Sequence, residues 1–311
     1  MIVLYKFIRP ERLDILENCL IRFTQAGYFN DPFENLPFID AMLEREEIES
    51  FLEKNVWSRF DEDAYKKEFS RMKKENPLIS NLPKEVINLL QEIPADQAIA
   101  QAKELAEPLF ENFLGLNTDA MKIQVQQSLR ESFDTRFGVL CLSENYDNHL
   151  MWSHYTDCHK GYVIGFDSSN KFFDKRRNES DQINKIKKVN YTNERPEYAG
   201  FSFSKNEQQQ IEHMAAIFFL TKAKIWEYEQ EWRFIRELEC ADKYIEVNGE
   251  KICLYKFPAG AICTVILGCK RTEAFKVKVE YILSHKQYSH VNLFQVGIDL
   301  RQYSLNYEQL K

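Results

Sequence analysis

The sequence predicts an α+β fold with a mixed or antiparallel central sheet and a large helical insertion. Short apolar runs typical of strands begin the chain and return from residue 137 onward. Between them, residues 41–135 are rich in Glu, Lys, Leu and Gln, nearly free of glycine and interrupted by four prolines, which indicates several amphipathic helices. The chain has 10 glycines and no GxGxxG or GxxxxGK[ST] pattern, so we do not expect a classical dinucleotide-binding or P-loop fold.

The individual elements follow from the period and the flanking residues of each segment. Before the insertion we expect a buried strand at 2–8, a short helix at 10–19 and a strand at 21–24. After it, strands are expected at 137–144, 161–167, 187–191, 230–237, 243–256, 262–268 and 291–298. Helices are expected at 148–155, 206–222 and 271–284. We interpret residues 1–311 as one α+β domain that carries 41–135 as an insertion; an independent helical domain is the alternative.

The overall charge gives no indication of nucleic-acid binding. The formal net charge is −7, which is the wrong sign for a field that attracts phosphates. One segment departs from this balance, because seven cations lie within eighteen residues: Lys171, Lys175, Arg176, Arg177, Lys185, Lys187 and Lys188. We predict a solvated loop here, with a phosphate-contacting patch as the alternative.

The cysteines and the apolar segments predict a soluble cytoplasmic protein. There are seven cysteines, an odd number, and no CxxC spacing. Several of them lie in apolar runs, where cysteine behaves as a small hydrophobic residue. The chain enters a strand directly at MIVLYKF, and no stretch approaches the ~20 apolar residues of a membrane-spanning helix.

The most informative segment is KAKIWEYEQEWRFIREL, in which a strand is predicted from Gln230 onward. On a strand, Glu231 and Arg233 share one face, and extending the alternation back by one step adds Glu229 to it. Two carboxylates ~7 Å apart would raise each other's proton affinity unless a cation such as Arg233 intervenes. Such a pair suits general base chemistry and stabilisation of a sugar cation. The alternative is an edge strand with a solvated Glu–Arg–Glu face.

Polar and aromatic residues also gather where the 137–144 strand ends. Ser143 closes this strand, and the following helix carries Trp152, His154 and Tyr155. Polar residues this dense beside aromatic rings resemble the lip of a binding site. The alternative for this region is an N-terminal helix cap formed by residue 147 or 148.

Three histidines, His149, His154 and His159, are spaced by five residues. This spacing places successive side chains ~140° apart on a helix and on opposite faces of a strand, so the three cannot easily converge on a metal. We therefore predict no metal site and assign His154 as the best-placed proton donor. Gly161 is expected to supply a positive φ at the turn into the next strand.

Aromatic residues bracket a rigid polar turn at Phe29-Asn30-Asp31-Pro32-Phe33-Glu34. In the simpler interpretation Asn30 and its neighbour bond their own backbone. In the functional interpretation the turn forms one wall of a pocket, and Tyr28 or Phe29 stacks on a flat ring of the ligand.

Taken together, the motifs FNDPFE, LMWSHYxDxHKG and YExEWR resemble a widespread family of bacterial and phage domains of unknown function. The resemblance covers roughly residues 4–34, 137–167 and 222–268. It implies that the helical segment lies outside the core of the family, and it brings no settled activity.

A more distant resemblance is to ADP-ribosyltransferases, in which a first-strand basic residue, a serine motif and an E-x-E motif follow in that chain order. It implies that Lys6, Ser143 and Glu229-x-Glu231 take these three positions and that NAD is the substrate. Glu231 would then grip the ribose and stabilise the oxocarbenium-like state, and Glu229 would orient or deprotonate the acceptor.

Further roles follow from the same resemblance. Lys6 would hold the diphosphate or the ribose, and an aromatic ring such as Tyr28 or Trp152 would stack on nicotinamide. Asn30, Ser143, Tyr155 and Arg233 complete the predicted binding residues. This sequence departs from the pattern by having a lysine rather than an arginine or histidine in the first position, and Cys-Leu-Ser in place of Ser-Thr-Ser.

Three functional hypotheses remain open at this point. The first is an ADP-ribosyltransferase or NAD glycohydrolase, such as a toxin or phage-defence effector, with a protein or nucleic-acid acceptor. The second is a hydrolase of nucleotide or nucleic-acid phosphodiesters that uses His154, Lys160 and Arg233. The third is a non-enzymatic module that senses a ligand or binds a partner. A homo-oligomer or an antitoxin partner is compatible with each, and no membrane association is expected.

Overall fold

The structure, a computed structural model, describes most of the chain in twelve stretches. These are residues 2–39, 45–55, 57–59, 62–75, 83–92, 94, 96–101, 103–105, 119–179, 181, 183–198 and 207–311. The chain divides into two compact units. The first comprises Met1–Phe38, Gln126–Pro196 and Ile211–Lys311, and the second comprises Ile39–Val125 and Glu197–Gln210.

The described strands are numbered along the chain. They are β1 (Val3–Ile8), β2 (Leu20–Phe23), β3 (Phe38–Ile39), β4 (Phe137–Ser143), β5 (Tyr162–Asp167), β6 (Lys187–Lys188), β7 (Asn190–Thr192), β8 (Glu197–Tyr198), β9 (Thr221–Ala223), β10 (Glu231–Glu237), β11 (Lys243–Val247), β12 (Glu250–Lys256), β13 (Ile262–Leu267), β14 (Asn292–Ile298) and β15 (Leu305–Gln309).

An eight-stranded sheet in the order β15-β14-β13-β5-β1-β4-β10-β6 forms the centre of the first unit. β13 and β14 are parallel, whereas the other neighbours in this sheet are antiparallel. The predicted α+β class with a mixed sheet is therefore confirmed. β1 lies in the middle of the sheet, and β4 and β10 follow it on one side.

The main α-helices of the described residues are also numbered along the chain. They are α1 (Asp14–Asn18), α2 (Arg45–Asn55), α3 (Glu62–Glu75), α4 (Lys84–Glu92), α5 (Asp119–Arg136), α6 (His149–Tyr155), α7 (Glu207–Phe219) and α8 (Glu273–Leu283). Further helical residues occur at 96–101 and 103–105. Nearly all described residues of the segment 41–135 are helical, as predicted; its status as an insertion within a single domain stays a prediction. No helix in the described residues is both long enough and apolar enough to cross a membrane.

Apolar side chains fill both faces of the central sheet. On β1, Leu4 belongs to one buried cluster together with Tyr162, whereas Phe7 belongs to a second cluster together with Trp152 and Val163. This division follows from the alternation of side chains along each strand. Burial of these large side chains is the main stabilising contribution to the sheet, about 25 cal/mol for each Å² of apolar surface removed from water.

The structure differs from the sequence prediction at three elements. The helix predicted at 206–222 ends at Phe219, and Thr221–Ala223 instead forms β9, which pairs in parallel with β7. The strand predicted at 243–256 is a hairpin, because Asn248 and Gly249 both have positive φ and form a tight turn. β15 was not predicted at all.

The expectation of a positive φ at Gly161 is wrong. Left-handed backbone occurs instead at Asp157, Cys158 and His159, which lie two to four positions before Gly161. Gly161 is required for another reason, since a Cβ at this position would lie 2.1 Å from the carbonyl oxygen of Ile8. Its role is to allow close packing of the turn against β1.

Candidate functional site

A cleft of about 210 Å³ opens on the sheet where β1, β4 and β10 lie side by side. We call it the central cleft. Its walls come from β1, the turn at 28–34, the end of β4, α6 and the region around β9 and β10. These segments are far apart in sequence, and the antiparallel pairing of β1 with β4 and of β4 with β10 brings them together.

Five buried charged residues form one side of the central cleft: Glu34, Lys222, Glu229, Glu231 and Arg233. We call them the charge cluster. Each has only 1–5% of its surface exposed. Three carboxylates face two cations, so the cluster has a formal excess of one negative charge. Burial of unpaired charges is very costly, which is why every member is tied to a partner.

Lys222 is the centre of the charge cluster. Its Nζ lies 2.6 Å from Oε2 of Glu229, 3.0 Å from Oε2 of Glu231 and 3.1 Å from Oε1 of Glu34. The ammonium group also makes a cation–π contact, since Nζ lies 5.0 Å from the centre of the Trp226 ring. One ammonium group therefore bridges all three glutamates.

Arg233 supplies the second cation and holds Glu231 in a fixed orientation. Its Nε donates to Oε1 of Glu231 at 2.8 Å, and its NH2 group donates to Oε2 of Glu231 at 3.0 Å and to Oε2 of Glu34 at 2.6 Å. The NH1 group donates to the carbonyl of Phe219 at 2.8 Å. This two-point contact with one carboxylate is the geometry that favours arginine over lysine.

The two glutamates of the E-x-E motif do not share a strand face, contrary to the prediction. Glu231 begins β10, but Glu229 ends a 3₁₀ helix, Lys224–Glu229, and Gln230 between them has left-handed backbone with φ 44°. The reversal at Gln230 turns the Glu229 side chain inward. The two carboxylates still converge, because both bind Lys222. The alternative of a solvated edge strand is also wrong, since both side chains are buried.

Three members of the charge cluster, Glu231, Lys222 and Arg233, are held in their ionised forms by the charges around them. Burial by itself would raise the pKa of Glu231, but the charges of Arg233 and Lys222 outweigh it and lower this pKa to about 2. Burial likewise opposes the charge of Lys222, whereas the carboxylates of Glu231 and Glu34 raise its pKa above the ordinary value. The pKa of Arg233 is raised by the same two carboxylates against the effect of burial.

A neutral hydrogen-bond chain continues from the charge cluster toward solvent. The Tyr155 hydroxyl donates to Oε1 of Glu229 at 2.8 Å and accepts from the side-chain amide of Asn30 at 3.2 Å. Burial and the nearby charge of Glu229 raise the pKa of Tyr155, so the phenol keeps its proton. The predicted wall formed by the 29–34 turn therefore lies in the cleft, with Asn30 and Glu34 contributing to it.

Ser143 and Lys6 both line the central cleft and both bond to backbone carbonyls. The Ser143 hydroxyl donates to the carbonyl of Glu229 at 2.6 Å, which anchors the end of the 3₁₀ helix to β4. The Nζ of Lys6 donates to the carbonyl of Cys141 at 3.0 Å. Tyr28 lines the opening, with 49% of its surface exposed.

Three predicted functional residues lie outside the central cleft. His154 is exposed, and Lys160 is exposed and paired with Asp157 at 2.9 Å. Trp152 is completely buried, packs edge-on against Phe7 and donates to a backbone carbonyl. Trp152 therefore has no surface on which nicotinamide could stack, and the helix places its side chain in the core. The cap predicted at 147–148 is confirmed at Asn148, which accepts from two helical amides.

Two members of the charge cluster, Glu34 and Lys222, were missed by the sequence analysis. Glu34 ends the FNDPFE motif, so a motif that combines a rigid turn with a carboxylate was an available signal. Lys222 was assigned to the end of a helix. The pattern of polar and apolar residues did not indicate β9, because this strand is only three residues long. Its position depends on its parallel pairing with β7.

Comparison with known proteins gives one match to a family model. Residues 151–234 match the model of a protein of unknown function (DUF2971). The matched range begins in α6 and ends in β10, so it includes Tyr155 and four members of the charge cluster but not Glu34. Comparison with curated proteins and with solved structures gave no match. From Met151 to Phe234, the chain is therefore similar to an uncharacterised family of domains.

Proposed function

We propose that the protein cleaves NAD in the central cleft, as an ADP-ribosyltransferase or an NAD glycohydrolase. The observation that supports this is the placement of Lys6, Ser143 and Glu231 on three adjacent strands. Tyr5 pairs with Ser143, and Ser143 pairs with Glu231. Lys6 follows Tyr5 on β1, and it lines the same cleft as Ser143 and Glu231.

The charge cluster provides what the reaction needs electrostatically. When nicotinamide leaves with the electrons of its bond to ribose, positive charge develops on the sugar ring. The carboxylate of Glu231 is ionised and fixed by Arg233 and Lys222. Fixed charges of this kind stabilise a transition state without reorganisation. The formal negative excess of the cluster has the sign that favours an oxocarbenium-like ring.

Completion of the reaction requires an acceptor that adds to the same carbon and loses a proton. The acceptor is water in a glycohydrolase, and a nucleophilic group of a protein or nucleic acid in a transferase. Glu229 is the group that orients or deprotonates it, since Oε1 of Glu229 bonds only to the neutral hydroxyl of Tyr155 among the described residues. A carboxylate in this position acts as a general base.

The dimensions of the cleft fit the reacting end of the substrate. Its volume of about 210 Å³ exceeds the roughly 150 Å³ in which a benzene ring is bound in an engineered cavity. The nicotinamide ring and part of the ribose would occupy it, with the half-exposed ring of Tyr28 as the stacking surface. Lys6 would hold the ribose or the diphosphate, and the adenosine would extend beyond the cleft.

One alternative function is favoured by a specific observation. Every carboxylate of the charge cluster already has a cationic partner, which is also the arrangement of a rigid site that binds a ligand without turnover. In either case a toxin or defence effector role, with an antitoxin partner, is compatible with the proposal. The phosphodiesterase hypothesis is not favoured, because His154 and Lys160 do not line the cleft with Arg233.

The test is release of nicotinamide from NAD by the purified protein. We expect release by the wild type, and loss of at least 100-fold in Glu231→Gln, because the ionised carboxylate is removed from the transition state. Glu227→Gln is the matched control, since Glu227 is exposed and lies four positions from Glu231. It should keep full activity.

Glu231→Gln leaves a buried arginine partly unpaired, so loss of activity through unfolding must be separated from loss of chemistry. Tyr28→Ala provides this separation, because Tyr28 is half exposed and lies outside the charge cluster. We expect it to raise KM for NAD with an unchanged melting temperature. The contrary outcome is saturable binding of NAD without release of nicotinamide, both with and without cell extract as a source of acceptors. This result would contradict the enzymatic proposal and support a site that binds a ligand without turnover.

A further inference from the structure

The motif LMWSHYTDCHKGY contains an unusual backbone that the central cleft does not use. Asp157, Cys158 and His159 have φ values of 50°, 52° and 70°, so three consecutive residues other than glycine are left-handed. Each such residue costs roughly 1–2 kcal/mol. The end of a helix needs only one left-handed residue, and so the cap of α6 does not account for all three.

Close packing holds this strained turn in place. The carbonyl of His159 accepts from the backbone amide of Lys270 at 3.0 Å. A Cβ at Gly268 would lie 2.2 Å from the same carbonyl oxygen, so only glycine allows the two backbone segments to come this close. The His159 ring stacks on Trp152 with an interplanar angle of 8°. Strain that is maintained by its surroundings in this way is characteristic of functional sites.

The strained turn presents His159 to a second groove, of about 590 Å³, which we call the histidine groove. Its lining consists of His149, His159, Cys269, Lys270 and residues 298–305. The rings of His149 and His159 lie 6.4 Å apart. The groove is separate from the central cleft, with no lining residue in common.

The charges of the histidine groove point to an anionic ligand. Lys270 and Arg301 are exposed, and neither forms an ion pair with another described residue. The one acid, Asp299, has Oδ1 occupied by the backbone amides of Arg301 and Gln302. Burial, together with the charges of Lys270 and His149, lowers the pKa of His159, which favours the neutral ring as a hydrogen-bonding group.

A metal ion fits this groove less well. In the described part of the chain, the one group of three potential ligands close enough to share an ion is Glu237, Glu239 and Cys240, which lies elsewhere. Two cationic side chains would also repel a metal. Lysine, arginine and imidazole N–H groups are instead the common partners of phosphate oxygens.

We infer that the histidine groove is a binding site for a phosphate group, held by Lys270 and Arg301 together with the imidazole groups of His149 and His159 in its lining. This site is independent of the proposed NAD chemistry. The exposed side chains of Leu300 and Tyr303 at its rim would pack against an organic portion of the ligand when the phosphate is part of a larger molecule.

The experiment follows the imidazole NMR resonances of the six histidines during titration with inorganic phosphate, with sodium chloride at matched ionic strength as the reference. We expect saturable shifts at His149 and His159 alone. The exposed His154 and His290 serve as internal controls. A parallel titration with phenyl phosphate identifies the source of the phosphate group, since tighter binding indicates an organic phosphate and equal binding indicates the free ion.

Substitutions then locate the site. Lys270→Gln and Arg301→Gln should each weaken phosphate binding at least tenfold, because each removes a charge-assisted contact. Lys286→Gln is the matched control, since Lys286 is also exposed and lies outside the groove. All three positions are exposed, so the fold is retained. Absence of saturable shifts, or equal weakening by Lys286→Gln, would overturn the inference.

Discussion

The Nζ of Lys222 lies 2.6 Å from the Oε2 of Glu229, seven residues further along the chain. This contact depends on two departures from regular structure. α7 ends before Lys222, and the backbone reverses at Gln230. If α7 continued through Lys222, or if the backbone did not reverse at Gln230, the ammonium group of Lys222 would not lie between the two carboxylates of the E-x-E motif. The two carboxylates could then not be buried together.

Removal of the Lys222 ammonium should strongly destabilise the fold. Lys222→Met leaves Glu229 without a cationic partner in the cluster and leaves Glu34 and Glu231 with Arg233 alone. Breaking a buried ion pair on one side typically costs 3–5 kcal/mol. We expect a loss of about that size in the free energy of unfolding, measured by urea denaturation. Lys224→Met is the control, because Lys224 is exposed. Equal stability of the two variants would contradict the central role of Lys222.

The stability contributed by Glu231 should depend on pH in a defined direction. Its pKa is lowered from 4.5 to about 2 in the folded protein, so the folded state binds the proton more weakly than the unfolded state does. The stabilisation is complete above about pH 4.5 and is lost as the pH falls toward 2, by roughly 3 kcal/mol. The difference in unfolding free energy between wild type and Glu231→Gln should therefore shrink between pH 6 and pH 3. A difference that stays constant or grows over this range would show that Glu231 is not held ionised by its neighbours.

Loss of the Tyr155 hydroxyl should affect turnover more than binding. Tyr155→Phe removes the bond to Oε1 of Glu229 and leaves the amide of Asn30 without its acceptor. A hydrogen bond to a charged group contributes about 1.5–3 kcal/mol. We expect a lower kcat for nicotinamide release with KM for NAD nearly unchanged, from steady-state kinetics. Tyr281→Phe, at an exposed position, should change neither; a rise in KM alone would assign Tyr155 to substrate binding instead.

Gly161→Ala should destabilise the protein through steric overlap. The added Cβ would lie 2.1 Å from the carbonyl oxygen of Ile8 and 3.1 Å from that of Thr156, and both are backbone atoms that cannot rotate away. Overpacking of this kind costs about 1–3 kcal/mol or more. Gly260→Ala is the control, since no atom lies within 4 Å of its added Cβ. Thermal unfolding should show a lower Tm for Gly161→Ala only.

Much of the fold could be predicted because the core strands have clear local patterns. β1, β4, β5 and β13 are nearly continuous apolar runs, and the structure buries most of their residues. The short strands β9 and β15 could not be predicted in this way. Their position is determined by pairing with β7 and β14, and such tertiary contacts override weak local preferences.

The candidate site was predictable only in part, for a related reason. Residue types and chain order indicated Lys6, Ser143 and Glu231, which line the central cleft. For α6, which lies beside the cleft, the spacing of residues separates the faces of the helix but does not show which face is turned toward the cleft. Trp152 and His154 illustrate this, since the first is fully buried in the core and the second is exposed.

The charge cluster also has a consequence for the order in which the chain folds. Glu34 and Arg233 are 199 positions apart, and contacts of such long sequence separation form slowly because a large loop must close first. Until that loop closes, Arg233 has its strand neighbour Glu231 as a partner but lacks the contact between its NH2 group and Glu34. We therefore expect docking of the 28–34 turn against β10 to be a late step in the folding of the sheet.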